Sequence, residues 1–170
     1  MAFPEDDLYE NNEPREETRQ IVVFRLGREW YGVDITKVKE VMKVGQITYL
    51  PSSAEHIAGI LNLRGNILSV TDLKTIFGLA HEEPTEKRRV IAVESGVVET
   101  GLLVDEVVES IDVPVRKIEP ALLTLQAGRE GYIEGQCQLD DKLIALVNVE
   151  KVLGRGNGTL SGSSGTGNIA

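Results

Sequence analysis

The chain repeats itself, and that repetition constrains its fold more than any other feature. Slid by 69 residues, Ile21-Val22-Val23-Phe24 falls on Val90-Ile91-Ala92-Val93, Gly27 on Gly96, Gly32 on Gly101, Ile35 on Val104, Val38 on Val107 and Glu40 on Glu109. After a seven-residue insertion the offset becomes 76, which sets Ile57 on Ile133, Gly59 on Gly135, Leu63 on Leu139, Leu68 on Ile144 and Asp72 on Asn148. A shared internal period reveals architecture that single strand assignments miss. Each half reads as strand, turn, strand, short helix, hairpin and capped helix. The expectation is a mainly β protein of two pseudo-duplicated lobes, each a small five-stranded barrel, with a binding groove at their junction.

Within each half the turn chemistry is explicit. Ile21 to Leu26 and Trp30 to Ile35 read as an antiparallel pair around Gly27-Arg28-Glu29. Val38, Val41 and Met42 fall at helical spacing, predicting a turn or two of helix over Thr36 to Met42 with Thr36 as its cap. Ile57 to Leu63 and Ile67 to Thr71 flank Arg64-Gly65-Asn66, a hairpin signature. Asp72 then caps a short helix through Phe77, and Asn148 does the same in the second half.

Both ends depart from this pattern. Residues 1–18 hold Glu5, Asp6, Asp7, Glu10, Glu13, Glu16 and Glu17 without apolar periodicity, and within residues 154–170 the stretch Gly154 to Gly167 is nearly all Gly, Ser, Thr and Asn. Neither composition buries enough apolar surface to order itself, so both are expected to be flexible tails around a folded region over 19–153. The Gly-Arg-Gly-Asn-Gly-Thr piece has no lysine after its glycines and no helix to follow, so it is not a phosphate loop.

The residue types exclude most chemistry. A net charge of −9 disfavours nucleic acid, which is bound through clustered Lys and Arg. No run approaches the ~18 apolar residues of a membrane span, so no direct membrane insertion is expected. Cys137 has no disulfide partner, and with His56 and His81 it forms no zinc-spaced cluster. Cys137 reads as a buried filler in a strand, and Asp140-Asp141 as turn residues rather than an acid/base pair. No nucleophile, base and orienting group come together, so neither catalysis nor a cofactor is expected. A small enzyme with a scattered site would need a deep pocket of perturbed groups, and a nucleic-acid barrel would need a basic aromatic face. Arg64, at a hairpin tip, and the repeat-related Glu40 and Glu109 remain as polar residues without a folding task, and such an arginine suits an interface.

Trp30-Tyr31-Gly32-Val33-Asp34-Ile35 with Val38 and Glu40, then Gly59-Ile60-Leu61-Asn62-Leu63-Arg64-Gly65-Asn66-Ile67-Leu68 leading to Asp72-Leu73, closely resembles the CheW family of chemotaxis coupling proteins. Gly101-Leu102-Leu103-Val104-Asp105 and Leu146-Val147-Asn148-Val149-Glu150-Lys151 resemble its second half. The likeness runs from about Arg19 to Leu153 and implies two intertwined SH3-like β-barrels. It implies a non-catalytic, cofactor-free cytoplasmic adaptor that binds the regulatory domain of a CheA-type histidine kinase and the cytoplasmic tip of chemoreceptors. The matching receptor-contact positions are Val38, Glu40, Gly59, Arg64, Gly101 and Ser110, the last departing from the apolar residue often found there. The same fold serving a different sensory array is the alternative.

Overall fold

The computed structural model describes residues 16–51, 54–122, 129 and 131–154. The expected tails therefore lie outside the described residues, apart from Glu16, Glu17, Thr18 and Gly154 at their inner ends; Thr18 opens the first strand and Gly154 closes the last helix. Ten strands are described: β1 (Thr18–Leu26), β2 (Glu29–Asp34), β3 (Val38–Lys43), β4 (Ile57–Leu63), β5 (Asn66–Asp72), β6 (Arg89–Ser95), β7 (Val98–Val104), β8 (Glu106–Pro114), β9 (Ile133–Leu139) and β10 (Lys142–Val147). Helix α1 (Leu73–Phe77) follows β5, and α2, residues 149–154, follows β10.

The expected helix over Thr36 to Met42 is corrected. Only Ile35–Lys37 is helical, as a single 3-10 turn capped by Asp34 rather than Thr36, and Val38 onward is strand β3. The Asp34 carboxylate accepts from the Thr36 amide at 2.9 Å and from its hydroxyl at 2.7 Å. The helix-like spacing has a physical origin. A β-bulge shifts the β3–β6 register between Val38 and Glu40, yet exposure along β3 still alternates residue by residue; the helix-like spacing arises because Glu40 takes a half-buried position and Val41 an exposed one. The caps of α1 and α2 are as read: the Asp72 side chain accepts from the Lys74 and Thr75 amides, and that of Asn148 from the Lys151 amide.

Two five-stranded sheets form, in the orders β8-β1-β2-β10-β9 and β3-β6-β7-β5-β4. We call them lobe A and lobe B. They are repeat equivalents, but neither is built from one half of the chain as the repeat alone suggested; the two are intertwined, as the family resemblance implied. Lobe A takes β1 and β2 from the first half and β8 to β10 from the second, and lobe B takes the remainder. The connections explain the exchange. Beside β1, β8 runs parallel to β2, and a strand from the same half in that place would need a crossover of a dozen or more residues after β2. Only Ile35–Lys37 separates β2 from β3, and only Asp105 separates β7 from β8.

Neither sheet closes as a continuous ladder; each is joined edge to edge by one bridge. The chain after β3 returns to β4, where Thr48 and Ile60 exchange backbone hydrogen bonds of 2.7 and 2.9 Å, and Glu119 and Gln136 do the same in lobe A at 2.8 Å each. Gly59 and Gly135 sit beside these bridges. A Cβ on Gly135 would lie 3.0 Å from the Glu119 carbonyl oxygen, and one on Gly59 would collide with that of Thr48.

Three apolar clusters fill the molecule. Ile21, Val23, Ile144 and Leu146 line the inside of lobe A with Cys137, and Leu61, Leu68, Val70, Val90 and Ala92 fill lobe B. The largest cluster lies between the lobes and joins Val22, Phe24, Tyr31 and Val33 to Ile91, Val93, Leu102 and Val104, with α1 and α2 packed on it. Ile21 to Phe24 and Val90 to Val93 are therefore unbroken apolar runs because both faces of β1 and β6 are covered. The junction expected to hold a groove is thus a packed layer at its centre. Its spine is a stack in which Phe24 and Tyr31 lie 5.9 Å apart and Tyr31 and Phe77 5.3 Å apart, contacts each worth about 0.5–1.5 kcal/mol beyond their buried area.

Polar clasps of opposite polarity link the lobes at repeat-related places. The buried Lys74 ammonium lies 2.7 Å from Asp105, which also accepts from the Gly27 amide at 2.6 Å. Glu150, the repeat equivalent of Lys74, is 2.5 Å from Lys37. Burial works to raise the Asp105 carboxyl, but Lys74 and the Gly27 amide outweigh it and hold it below its ordinary value. At Asp34, burial is likewise outweighed by the Thr36 donors and Arg19, whose Nε is 2.8 Å away. Glu150 is lowered chiefly by Lys37. All three carboxylates are more acidic folded than unfolded, so their stabilisation is fully present above the unfolded value and is lost as pH falls below it and through the lowered folded values. The melting temperature is expected to hold from neutrality down to about pH 5 and to fall below about pH 4. A scan that stays flat to about pH 3 would refute the role of these carboxylates.

Candidate functional site

The two lobes share a frame, so a place where they differ is informative. Arg64 occupies the turn between β4 and β5 at φ 51°, and its repeat equivalent Asp140 occupies the β9–β10 turn at φ 55°. In lobe B the Arg64 guanidinium reaches across the barrel seam to Glu40 on β3, with Nη1 3.0 Å from Oε2 and Nη2 3.3 Å from Oε1. The Asn62 side chain accepts from the Gly65 amide at 2.8 Å and fixes the turn. In lobe A the same two positions carry Asp140 and Glu109, both acidic, so no such fork forms. The Arg64 side chain is 77% exposed and that of Glu40 27%. A two-toothed guanidinium held by a carboxylate while still facing solvent is well suited to meeting a second carboxylate or an apolar partner surface.

Glu40 and Arg64 are thus brought into contact, and Val38 lies two residues away on β3, half-buried against the inter-lobe cluster. Gly59 and Gly101 lie in the same lobe but are buried. Gly59 makes room for the Thr48 backbone, and a Cβ on Gly101 would meet Val90 Cγ1 at 2.5 Å and Leu68 Cδ2 at 3.2 Å. Gly32, at the repeat position of Gly101, makes room for Ile21 in the same way. Ser110 stands in the other lobe, on the exposed β8, accepting from the Gln20 side-chain amide at 2.9 Å. Its hydrogen bond and strand pairing are to Gln20 and Val22, not to any of the other five.

Sequence reasoning missed the apolar neighbours of the fork. Val41, beside Glu40, is 41% exposed, Ile67, three residues after Arg64, is 64% exposed, and Tyr49 next to the seam is 69% exposed. Reading residues 38–43 as a strand would have turned Val41 outward, but the helix-like spacing of Val38, Val41 and Met42 hid that alternation.

Sequence reasoning also missed a histidine–carboxylate pair. His81 Nε2 lies 2.8 Å from Asp72 Oδ2 and 3.5 Å from Thr75 Oγ1. This is not a nucleophilic relay, because a base must contact the nucleophile through one ring nitrogen and the orienting acid through the other. Here both partners meet Nε2, and Asp72 Oδ1 already caps α1. Cys137 is buried inside lobe A, and burial pushes its thiol up. Among the described residues no group of three or more His, Cys, Asp or Glu is placed to hold a metal ion, and no helix is long and apolar enough to cross a membrane.

Comparison with known proteins accounts for this frame. Residues 20–156 match the model of the CheW-like domain. The chain is 32% identical over 138 residues to the chemotaxis protein CheW of Klebsiella aerogenes, covering 79% of this chain and 81% of that protein. It is 29% identical to the CheW of Bacillus subtilis, covering 79% and 86%. Among solved structures it is similar to the scaffolding protein TtCheW of Thermoanaerobacter tengcongensis, with a TM-score of 0.72 and 39% identity over 81% of this chain and 88% of that one. The duplicated, hairpin-exchanged frame and its match over nearly all the described residues make this chain a member of the CheW-like domain family.

Proposed function

We propose that this chain is the coupling adaptor of a chemotaxis array, holding the regulatory domain of a CheA-type histidine kinase and the cytoplasmic tip of a chemoreceptor in one cytoplasmic assembly. Scaffolding in chemotaxis signal transduction, through protein partners, follows from its family. The observation that carries the finer reading is the Arg64–Glu40 fork with Val41 and Ile67 beside it, present in one lobe and absent from its repeat equivalent. Val38, Glu40 and Arg64 form the receptor-facing set, Gly59 and Gly101 shape the strands beneath, and Ser110 marks a second contact on lobe A. Coupling needs no chemical step. It requires only that the adaptor hold the kinase's active and inactive states with different affinity, since equal affinity for both shifts nothing.

Calorimetric titration of the protein against a kinase regulatory domain and a receptor-tip fragment tests this reading, with Arg64→Glu as the probe. The substitution leaves two acids at the seam in place of an exposed pair, so stability is expected to change by no more than about 0.5 kcal/mol. Receptor affinity is expected to fall about tenfold or more, with kinase affinity unchanged. Undiminished receptor affinity would remove Arg64 from the site. A second reading, the same adaptor serving another sensory array, is favoured by 32% identity over 112 residues to the protein PilI of Pseudomonas aeruginosa, which covers 66% of this chain and 63% of that protein. Binding to the receptors and kinase of one array but not the other decides between them.

A further inference from the structure

Three cations gather at the start of β6 without a carboxylate partner among the described residues. Lys43, the last residue of β3, lies directly across the ladder from Arg89. With Arg88, Val44, Thr85 and Glu86 these residues line an open cavity of about 540 Å³. The Arg89 guanidinium is held by the backbone carbonyls of Glu86 at 2.9 Å and Arg88 at 2.7 Å, so its position does not depend on an acid. Leaving three like charges together is unfavourable, and in a chain with 27 acidic against 18 basic residues it is conspicuous.

The chain's own sequence supplies a counter-charge at a matching distance. Glu16 and Glu17 lie at one end of β8, where Thr18 faces Pro114 and the Glu17 carbonyl accepts from the Val115 amide at 2.9 Å. The cations lie at the other end of β8, where Lys87 Nζ is 3.7 Å from Glu106 and Arg88 shares a second cavity with Asp105. The nine residues of β8 set the ends about 27 Å apart at ~3.3 Å per residue. Counting back from Glu16, extended chain reaches about 30 Å at Asp7 and about 37 Å at Glu5, whereas Glu10 stops near 20 Å. The run Glu5-Asp6-Asp7 is the one that arrives.

We propose that the cationic cavity at Lys43, Arg88 and Arg89 is a docking surface for the Glu5-Asp6-Asp7 segment of the same chain. A tether that can span the distance makes the contact intramolecular, so a contact too weak to form between separate molecules is populated.

A nitroxide on Ala2→Cys of the full chain tests this, with Cys137 too buried to compete for the label. At about 0.01 M salt the amide signals of Lys43 and of Thr85 through Arg89 are expected to be lost relative to the reduced label. At about 1 M, where the screening length falls from about 30 Å to about 3 Å, they are expected to return. The triple substitution E5Q/D6N/D7N should restore them at low salt. Full intensity at low salt in the unsubstituted chain, or signal loss that survives the triple substitution, would overturn the proposal.

Discussion

Replacing Asp105 with alanine is expected to cost about 3 kcal/mol of folding stability, read as a lower urea midpoint at unchanged slope. Asp105 is the whole connection between β7 in lobe B and β8 in lobe A. Its carboxylate takes the Lys74 ammonium and the Gly27 amide together, and its own amide donates to the Arg25 carbonyl at 3.0 Å. The Lys74 side chain is only 8% exposed. Removing the acid leaves a buried cation alone, which costs far more than the pair was worth, because the desolvation of Lys74 is no longer offset. The control is the double variant Lys74→Met with Asp105→Ala, which removes both charges and keeps the aliphatic volume. It should recover most of the loss. A single variant within about 0.5 kcal/mol of the unsubstituted protein would mean that Lys74 escapes to solvent and that the clasp contributes nothing.

Gly59→Asp is expected to be at least as damaging, by about 3 kcal/mol or more, and to act on folding before binding. The backbone at Gly59 has φ 154°, and any Cβ there meets the Thr48 carbonyl oxygen and lies 2.6 Å from Ile47 Cγ2. The Thr48 carbonyl accepts from Ile60 in the bridge that joins the edges of lobe B, so relieving the clash opens the seam. At Gly135, in the equivalent seam of lobe A, the nearest atoms are 3.0 and 3.3 Å away, so Gly135→Ala is expected to cost less than Gly59→Ala. Thermal melting orders the variants. If Gly59→Asp melts with the unsubstituted protein but no longer binds a receptor tip, Gly59 is a contact residue and the seam is more pliable than its geometry shows.

Much of the site was legible because it is local. Arg64 stands out in the sequence as a charge on a hairpin tip, and the turn that places it is set by Asn62 and Gly65 a few residues away. Asp72 and Asn148 cap their helices through contacts with the following turn, which any reading of spacing captures. Glu40 was legible as a repeat-related acid but not as Arg64's partner, because that contact crosses a seam between β3 and the β4–β5 hairpin. Ile67 and Val41 escaped notice because exposure depends on which strand face points outward, and in β3 the outward position falls to Val41 while the acid Glu40 takes a half-buried one.

The sequence alone determined the duplication, the strands whose two faces are both apolar, the turns and the caps. Each rests on interactions between residues close in the chain or on a pattern shared by the halves. Intertwining was implied by the family resemblance, but only the tertiary structure decided which hairpins the halves exchange, that the largest core lies between the lobes, and that oppositely oriented ion pairs clasp them. Repeat-equivalent halves offer each hairpin two similar partners, so composition cannot choose. The choice falls to the three residues after β2 and the single residue after β7, too few to return the chain to its own sheet.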